Sequence, residues 1–588
     1  HKNARTSKGA QLGREGRSRA EGESGESSRL QRANDPDFYQ ACVGREGRGS
    51  SEADSRGAHP EPRHFYSVEL QERDPHLPPL FPVSHTHLTS EEEALKACSV
   101  EQSLTQQCLR VNPKSYCIWL HRQWVLDHSP RPDWTHEIGL CDLFLKYDER
   151  NFHCWDYRRF VTSKAAVPPS EEFSFTYDKI AANFSNYSAW HYRSKLLPLL
   201  HPSPDHSEGV AETALLQEHE LAQNAFFTDP SDQSAWLYHR WLLGKTERPT
   251  AVVCLLIRSL PQPEAFVTFN QPIKGAETVG MVVAESPVLL TEKSDWPKSL
   301  WRFPLSDDVI PSNEGAFTVT VVFGESREVV SLCRCEGEEE EGRCWVGGRG
   351  PVFGSTHTAA TSSVLAAELD SCKELLEMEP DNKWCILTTL LLLQALDWLA
   401  NSTQIGDMFR RLCEVDHYRQ GYYQDMLSRF TIECLVMGVF QDGLSPVSLS
   451  SLDLSGKGLS RLYHTDYMLT IRTLNISNNQ LCSLNHIENL VSLETLVADN
   501  NQLQGLPPGT EKLQMLKVLS IRNNQVADPR QLHCVKVVKV LRLQGNPLCD
   551  SQGWEGLVTK ELTFLEQLND LTISPELQLQ GPENILLK

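Results

Sequence analysis

The sequence predicts a multidomain chain in which two different solenoids are separated by a β-rich block. Three observations carry that expectation. A short phrase ending in Trp and Arg recurs four times at the spacing of helix pairs. Residues from about 250 to 362 switch to β-branched and aromatic runs, and the last third repeats a leucine pattern every 22 or 23 residues. Length agrees, because 588 residues exceed what a single core holds.

The four phrases read Asn112-Pro-Lys-Ser-Tyr-Cys-Ile-Trp119-Leu-His-Arg122, Asp148-Glu-Arg-Asn-Phe-His-Cys-Trp155-Asp-Tyr-Arg158, Asn183-Phe-Ser-Asn-Tyr-Ser-Ala-Trp190-His-Tyr-Arg193 and Asp229-Pro-Ser-Asp-Gln-Ser-Ala-Trp236-Leu-Tyr-His239-Arg240. Their tryptophans fall 36, 35 and 46 residues apart, the period of stacked helix pairs. Four residues before each Trp stands Ser115, Asn151, Asn186 or Asp232, types whose side-chain oxygens satisfy the free N–H groups of a first helical turn. Arg follows the Trp by three residues, or by four in the last copy, so the two share a helix face. Trp119, Trp155, Trp190 and Trp236 are therefore expected to pack on the preceding helix. With Arg122, Arg158 and Arg193 they form the framework of an α-helical solenoid.

The elements follow in order. Residues 1–88 form a disordered or aberrant segment by expectation: the first 60 or so are rich in Gly, Ser, Arg and Glu without apolar periodicity. Within them Ala33-Asn-Asp-Pro-Asp-Phe38 begins like another repeat phrase whose Trp and Arg never arrive. Thr89-Ser90 before Glu91–Glu93 reads as a helix start. Helical repeats fill 89–249, with the Pro/Ser/His loop Leu200–Ser207 lengthening the third interval. Over 250–362 the runs Phe266–Phe269, Val279–Val283 and Phe317–Phe323, bounded by Gly, Pro and Asn, predict strands of a small β-sandwich. The acidic run Glu336–Glu341 reads as a solvated loop. Helical pattern returns over 363–440, where Glu379-Pro-Asp-Asn-Lys-Trp384 echoes the earlier phrase. The sandwich is therefore an insertion, which chain ends lying close together at a loop tolerate.

Residues 441–588 carry four copies of one pattern: Ile471-x-x-Leu474-x-Ile476-x-x-Asn479-x-Leu481, and its equivalents ending Asn501-x-Leu503, Asn524-x-Val526 and Asn546-x-Leu548. An earlier copy places Lys457 where Asn belongs, as terminal repeats often do. These are leucine-rich repeats with a C-terminal cap; the leucines fill a core and each Asn binds backbone in the turn.

Composition excludes several classes. Lys and Arg number 56 against 77 Asp and Glu, a net charge of −21, which argues against nucleic acid as a partner. No apolar run approaches the ~18 residues of a membrane span, and Leu390–Leu393 reads as part of a buried helix. Seventeen cysteines without framework spacing, and no signal peptide, point to reduced thiols in the cytoplasm. Cys333-x-Cys335 with Cys344 lacks a fourth ligand beyond the distant His357, so no metal site is expected in the chain.

With these phrases in hand, the chain resembles the α subunits of protein prenyltransferases. The order of parts, with an immunoglobulin-like insertion after the repeats and leucine-rich repeats at the end, is similar to that of the Rab geranylgeranyltransferase (type II) α-subunit family. The likeness covers about residues 89–588. It implies a fold of prenyltransferase α repeats with an inserted immunoglobulin-like β-sandwich and a C-terminal leucine-rich repeat α/β solenoid. It implies a heterodimer with a β subunit, which holds the zinc cofactor and most of the lipid pocket. The reaction implied is transfer of geranylgeranyl from geranylgeranyl diphosphate to C-terminal cysteines of Rab GTPases presented by a Rab escort protein. One α-subunit residue of that family, a Lys in an Asn/Gln-Pro-Lys-Asn/Ser-Tyr phrase, meets the leaving diphosphate; here it is Lys114. Its place before Ser115 adds its charge to the positive end of a helix. Tyr116 and His153 are weaker candidates for the substrate-facing rim. The rival reading is a non-catalytic scaffold whose repeats are all interaction surfaces.

Overall fold

The computed structural model describes residues 90–203, 209–244, 250–259, 262–273, 278–283, 290–293, 298–306, 316–334, 343–350, 353–354, 357–441 and 450–573. The expectations for residues 1–88 and for Glu336–Glu341 lie outside them. Two compact units are distinguished, residues up to 104 with 128–130, and residues 105–127 with 131–588. In the first, Ser90 opens helix α1 (Glu91–Val111), its hydroxyl accepting from Glu93 N at 3.3 Å.

The second unit holds the capped helix pairs. Helices α2 (Tyr116–Asp127), α3 (Trp134–Tyr147), α4 (Phe152–Lys164), α5 (Pro169–Ala182), α6 (Tyr187–Leu200), α7 (Glu212–Thr228) and α8 (Gln233–Leu243) follow one another across short turns. Three of the four expected cap residues are seen to cap their helices. Asn151 accepts from His153 N and Cys154 N, Asn186 from Ala189 N, and Asp232 from Ser234 N.

Each tryptophan is anchored through its indole nitrogen. Each indole N–H donates to the carbonyl six residues earlier: Trp119 to Pro113, Trp155 to Glu149, Trp190 to Phe184 and Trp236 to Pro230, at 2.8 to 3.1 Å. That bond ties the ring to its own turn and presents it to the following repeat. Trp119 meets Phe144 and Tyr157, Trp155 meets Phe175 and Tyr192, and Trp190 meets Tyr238. Trp236 stacks on the preceding helix, with Phe226 at 3.8 Å.

Eight strands follow, β1 (Val252–Arg258), β2 (Glu264–Ile273), β3 (Thr278–Val283), β4 (Leu290–Lys293), β5 (Lys298–Pro304), β6 (Phe317–Phe323), β7 (Ser326–Arg334) and β8 (Cys344–Gly347), in the spatial order β4-β3-β6-β7-β8-β1-β2-β5. All described pairings are antiparallel. Strand β7 pairs with β6 along its length and with β8 at Cys333 and Arg334, and both flanks of the sheet bury Trp301, Trp345, Phe269 and Phe323 in one core. Cys333 is exposed and Cys344 half-buried, neither of them in a disulfide, and Cys335 lies outside the described residues. None of the described cysteines forms a disulfide.

Helices resume as α9 (Ala359–Met378), α10 (Lys383–Asp397), α11 (Ser402–Val415) and α12 (Gln420–Gln441). Asn382 caps α10, accepting from Trp384 N and Cys385 N, so the residue in the repeat Trp position is Ile386 and not Trp384. Leu390, Leu392 and Leu393 are buried in this helix. Among the described residues no helix is long and apolar enough to cross a membrane.

The C-terminal region is a parallel ladder of three-residue strands, β9 (Ser451–Asp453), β10 (Thr473–Asn475), β11 (Thr495–Val497), β12 (Val518–Ser520) and β13 (Val540–Arg542). It ends in α13 (Trp554–Glu561), the short strand β14 (Gln567–Leu568), and β15 (Leu571–Thr572), which turns back antiparallel. The pattern leucines are buried together. Each pattern Asn bridges two copies: Asn501 donates to Ala498 O of its own turn and to Ile476 O of the preceding one, and accepts from Leu481 N. Asn524 and Asn546 repeat the arrangement. The residue before each pattern Asn has positive φ, and it is Asn478, Asn500, Asn523 or Gly545, the types that tolerate that backbone.

The sheet meets this ladder through buried contacts. Arg258 Nη1 donates to Val491 O at 2.7 Å, Tyr467 OH to Asn270 O at 3.0 Å, and Val253, Leu256, Phe266 and Val346 pack with Leu469 and Val491.

Candidate functional site

A turn joining two helices exposes its polar phrase while burying the residues that follow. The phrase at 112–115 shows this division. Asn112 Oδ1 accepts from Lys114 N, and Asn151 Nδ2 reaches from the next repeat to Pro113 O at 2.9 Å. Those bonds fix the backbone of Lys114 and leave its side chain outside. Its Nζ lies 3.3 Å from Asp148 Oδ2, with the lysine side chain 71% exposed. Tyr116, at the first position of α2, is exposed as well. His153 is half-buried beside Phe152, with ring centroids 4.0 Å apart; burial lowers its pKa and Asp156 partly opposes this. Lys114 and the start of the helix carrying His153 are thus brought to one edge by the Asn151–Pro113 bond, while Asp148 takes the lysine's charge.

The arginines belong to a buried framework whose partners the sequence reading missed. Arg122 forms a forked pair with Glu137 at 2.8 and 2.6 Å, Arg158 with Glu172 at 2.9 and 2.7 Å, and Arg193 with Glu218 at 2.7 Å on both arms. Each Glu lies on the first helix of the following repeat. Two of them receive a second donor from that repeat's other helix, Tyr157 OH to Glu137 at 2.6 Å and Tyr238 OH to Glu218 at 2.7 Å. Burial disfavours the Arg122 charge, yet the Glu137 hydrogen bonds and charge outweigh it and raise its pKa. Burial, and next the Glu137 charge, push the Tyr157 phenol far above its ordinary value.

The fourth step departs from this rule, and from the expectation that Arg240 continues the arginine series. Counted from the Asp232 cap, the framework position falls on His239, which is fully buried. Arg240 turns instead to the hydroxyl of Tyr422. His239 Nε2 stands 2.7 Å from Glu368 Oε1 on α9, across the inserted sheet region. The position that supplies Tyr157 and Tyr238 in other repeats is Thr388 here. A second imidazole, His219, joins them, its Nδ1 3.9 Å from Glu368 Oε2 and its ring 5.0 Å from that of His239. No metal site was expected from the sequence. Among the described residues these three nonetheless form a cluster of metal-ligating side chains, 20 and 129 residues apart along the chain and so invisible as a motif.

Comparison with known proteins gives these repeats a family. The protein prenyltransferase alpha subunit repeat matches residues 99–129, 134–165, 169–200 and 215–246. The chain is similar to the geranylgeranyl transferase type-2 subunit alpha of Bos taurus, 42% identical over 396 residues that cover 65% of this chain and 68% of the relative. It is 41% identical over 403 residues to that of Homo sapiens, with the same coverage. The Dictyostelium discoideum protein of the same name is 43% identical over 144 residues, 24% of this chain and 45% of the relative. On the identity and coverage of these relatives, and on the four matched repeats, the chain belongs to the family of geranylgeranyl transferase type-2 α subunits, components of a prenyltransferase.

Proposed function

We propose that this chain works as the α subunit of a heterodimer that transfers geranylgeranyl from geranylgeranyl diphosphate to C-terminal cysteines of Rab GTPases presented by a Rab escort protein. The reading rests on family membership. The observation that carries it to a residue is Lys114, a cation fixed at its backbone and exposed at its tip. Zinc is assigned to the β subunit, where it would activate the thiol.

Within this chain Lys114 supplies charge to the departing diphosphate. Its pairing with Asp148 is exposed and therefore weak, on the order of 0–1 kcal/mol, so an incoming phosphate can compete for the ammonium. The backbone bonds at Asn112 and Asn151 hold the turn in place. Tyr116 and His153 lie on the same edge as candidates for the rim of the substrate site. The arginines and tryptophans of the repeats are framework. We further read the sheet region 250–362 as an immunoglobulin-like sandwich and 441–588 as leucine-rich repeats. The common core of both sheet flanks and the Asn-bridged parallel ladder support this reading.

The test is single-turnover transfer by the assembled pair. Lys114→Ala is expected to slow the chemical step by about 10²–10³, or about tenfold if β supplies other cations to the same oxygens. Affinity for β and for the Rab–escort complex stays near wild type, and Lys114→Arg recovers part of the rate. Unchanged single-turnover chemistry in Lys114→Ala removes the residue from the reaction.

A further inference from the structure

Three buried glutamates of the helical framework, Glu137, Glu172 and Glu218, are each neutralised by a forked arginine. Glu368, 1% exposed, is equally buried and meets no arginine in that position. It faces His239 and His219, which are 0% and 5% exposed. A buried carboxylate without a partner cation is costly, of the order of several kcal/mol, and the arginine that meets it in the other repeats is replaced here by His239.

We propose that His219, His239 and Glu368 bind a divalent d-block cation, zinc in the first instance, as a structural site joining helices α7, α8 and α9. The ligand atoms lie within 4.8 Å of one another. The short His239–Glu368 approach does not have the angles of a hydrogen bond, and His219 Nδ1, both ring nitrogens of His239 and both oxygens of Glu368 have no hydrogen-bond partner. Tetrahedral zinc with bonds of about 2.1 Å requires ligand separations of about 3.4 Å, which lies between the 2.7 Å of His239 to Glu368 and the 3.9 Å of His219 to Glu368. Two imidazoles and a carboxylate suit zinc among divalent metals, and the imidazoles must be neutral to bind it. Phe226, stacked on Trp236 and edge-on to His239, walls the site with apolar surface. The position has a structural logic, since α8 precedes the inserted sheet region and α9 follows it. A bound ion ties the two sides together where the Arg–Glu pairing lapses.

The site is tested on the full chain without any partner, so the outcome is independent of the transferase reading. Chelator-stripped chain is titrated with cobalt(II) and zinc(II), followed by the visible spectrum of cobalt, metal content and thermal melting. About one cobalt per chain is expected, with tetrahedral bands lacking thiolate charge transfer, and zinc should raise the melting temperature. His219→Leu and Glu368→Gln should lose both effects. His239→Arg should also lose the metal while folding as wild type, because it restores the Arg–Glu pair of the other repeats. Absence of binding, a thiolate-type cobalt spectrum, or undiminished binding in His239→Arg and His219→Leu would overturn the proposal, and in the last two cases the ion sits on cysteines elsewhere.

Discussion

The helical repeats and the C-terminal ladder both join one copy to the next through a buried polar side chain, yet the chemistry of the joint differs. Between helix pairs the joint is ionic: Arg122, Arg158 and Arg193 each fork onto a Glu of the following repeat. In the ladder it is neutral, the amides of Asn479, Asn501, Asn524 and Asn546 closing hydrogen bonds onto the preceding turn. The spacing of the copies explains the choice. Successive ladder strands pair backbone to backbone, so a short amide reaches the next turn. Helices have no free backbone to share along their sides, so a long side chain makes the joint there. A short amide such as that of Asn151 reaches the neighbouring repeat only at a turn, at Pro113 O. The consequence lies in how each fails, because an ionic joint that loses one partner leaves a buried charge, whereas an amide joint leaves only unpaired dipoles.

The largest effect that can break this comparison is therefore Arg122→Ala. It strands Glu137, 1% exposed, and should cost about 3–5 kcal/mol of unfolding free energy. Combining Arg122→Met with Glu137→Leu should cost less than the single change, since no charge is left behind. A double variant weaker than Arg122→Ala in denaturant unfolding would contradict the ionic account.

Next in size is Asn501→Ala, which leaves Leu481 N–H and the Ile476 carbonyl without this partner inside the ladder. A loss of about 2–3 kcal/mol is expected. Exchange protection should fall at the Asn501 turn and its preceding copy while the helical repeats keep theirs. A loss spread evenly over the molecule would show that the ladder does not respond locally.

The smallest effect belongs to Lys114→Ala. Its ion pair is 71% and 37% exposed on its two sides, so its removal should change stability by roughly 0–1 kcal/mol. This sharpens the contrast between the buried framework cations and a cation held in solvent. A loss comparable to that of Arg122→Ala would place Lys114 in the framework.

What the sequence revealed follows the range over which each signal acts. Caps at Asn151, Asn186 and Asp232 were legible because the side chain acts within three residues of itself. The ladder was legible because its core and its Asn recur at a fixed step. Strands β2, β3 and β6 were marked by β-branched and aromatic runs, whereas β7, with its polar start at Ser326-Arg327-Glu328, and the short β4 and β8 were not. The Glu partners were hidden because they stand 15, 14 and 25 residues beyond their arginines, set by stacking and not by motif. For the same reason His239 passed as a flank of Arg240, since only the helix register shows which of the two faces inward. At the candidate site the Lys114 turn was readable from its phrase, while its pairing with Asp148 depends on how two repeats meet.

The measurement that bears most directly on the account is geranylgeranyl transfer reconstituted from separately purified chains. This chain is mixed with its β partner, labelled geranylgeranyl diphosphate and a Rab–escort complex, and incorporation into the Rab C-terminus is followed. Transfer by the pair, co-elution of the two chains, and no transfer by either chain alone are expected. Transfer at full rate by β alone, or failure of the two chains to associate, would contradict it.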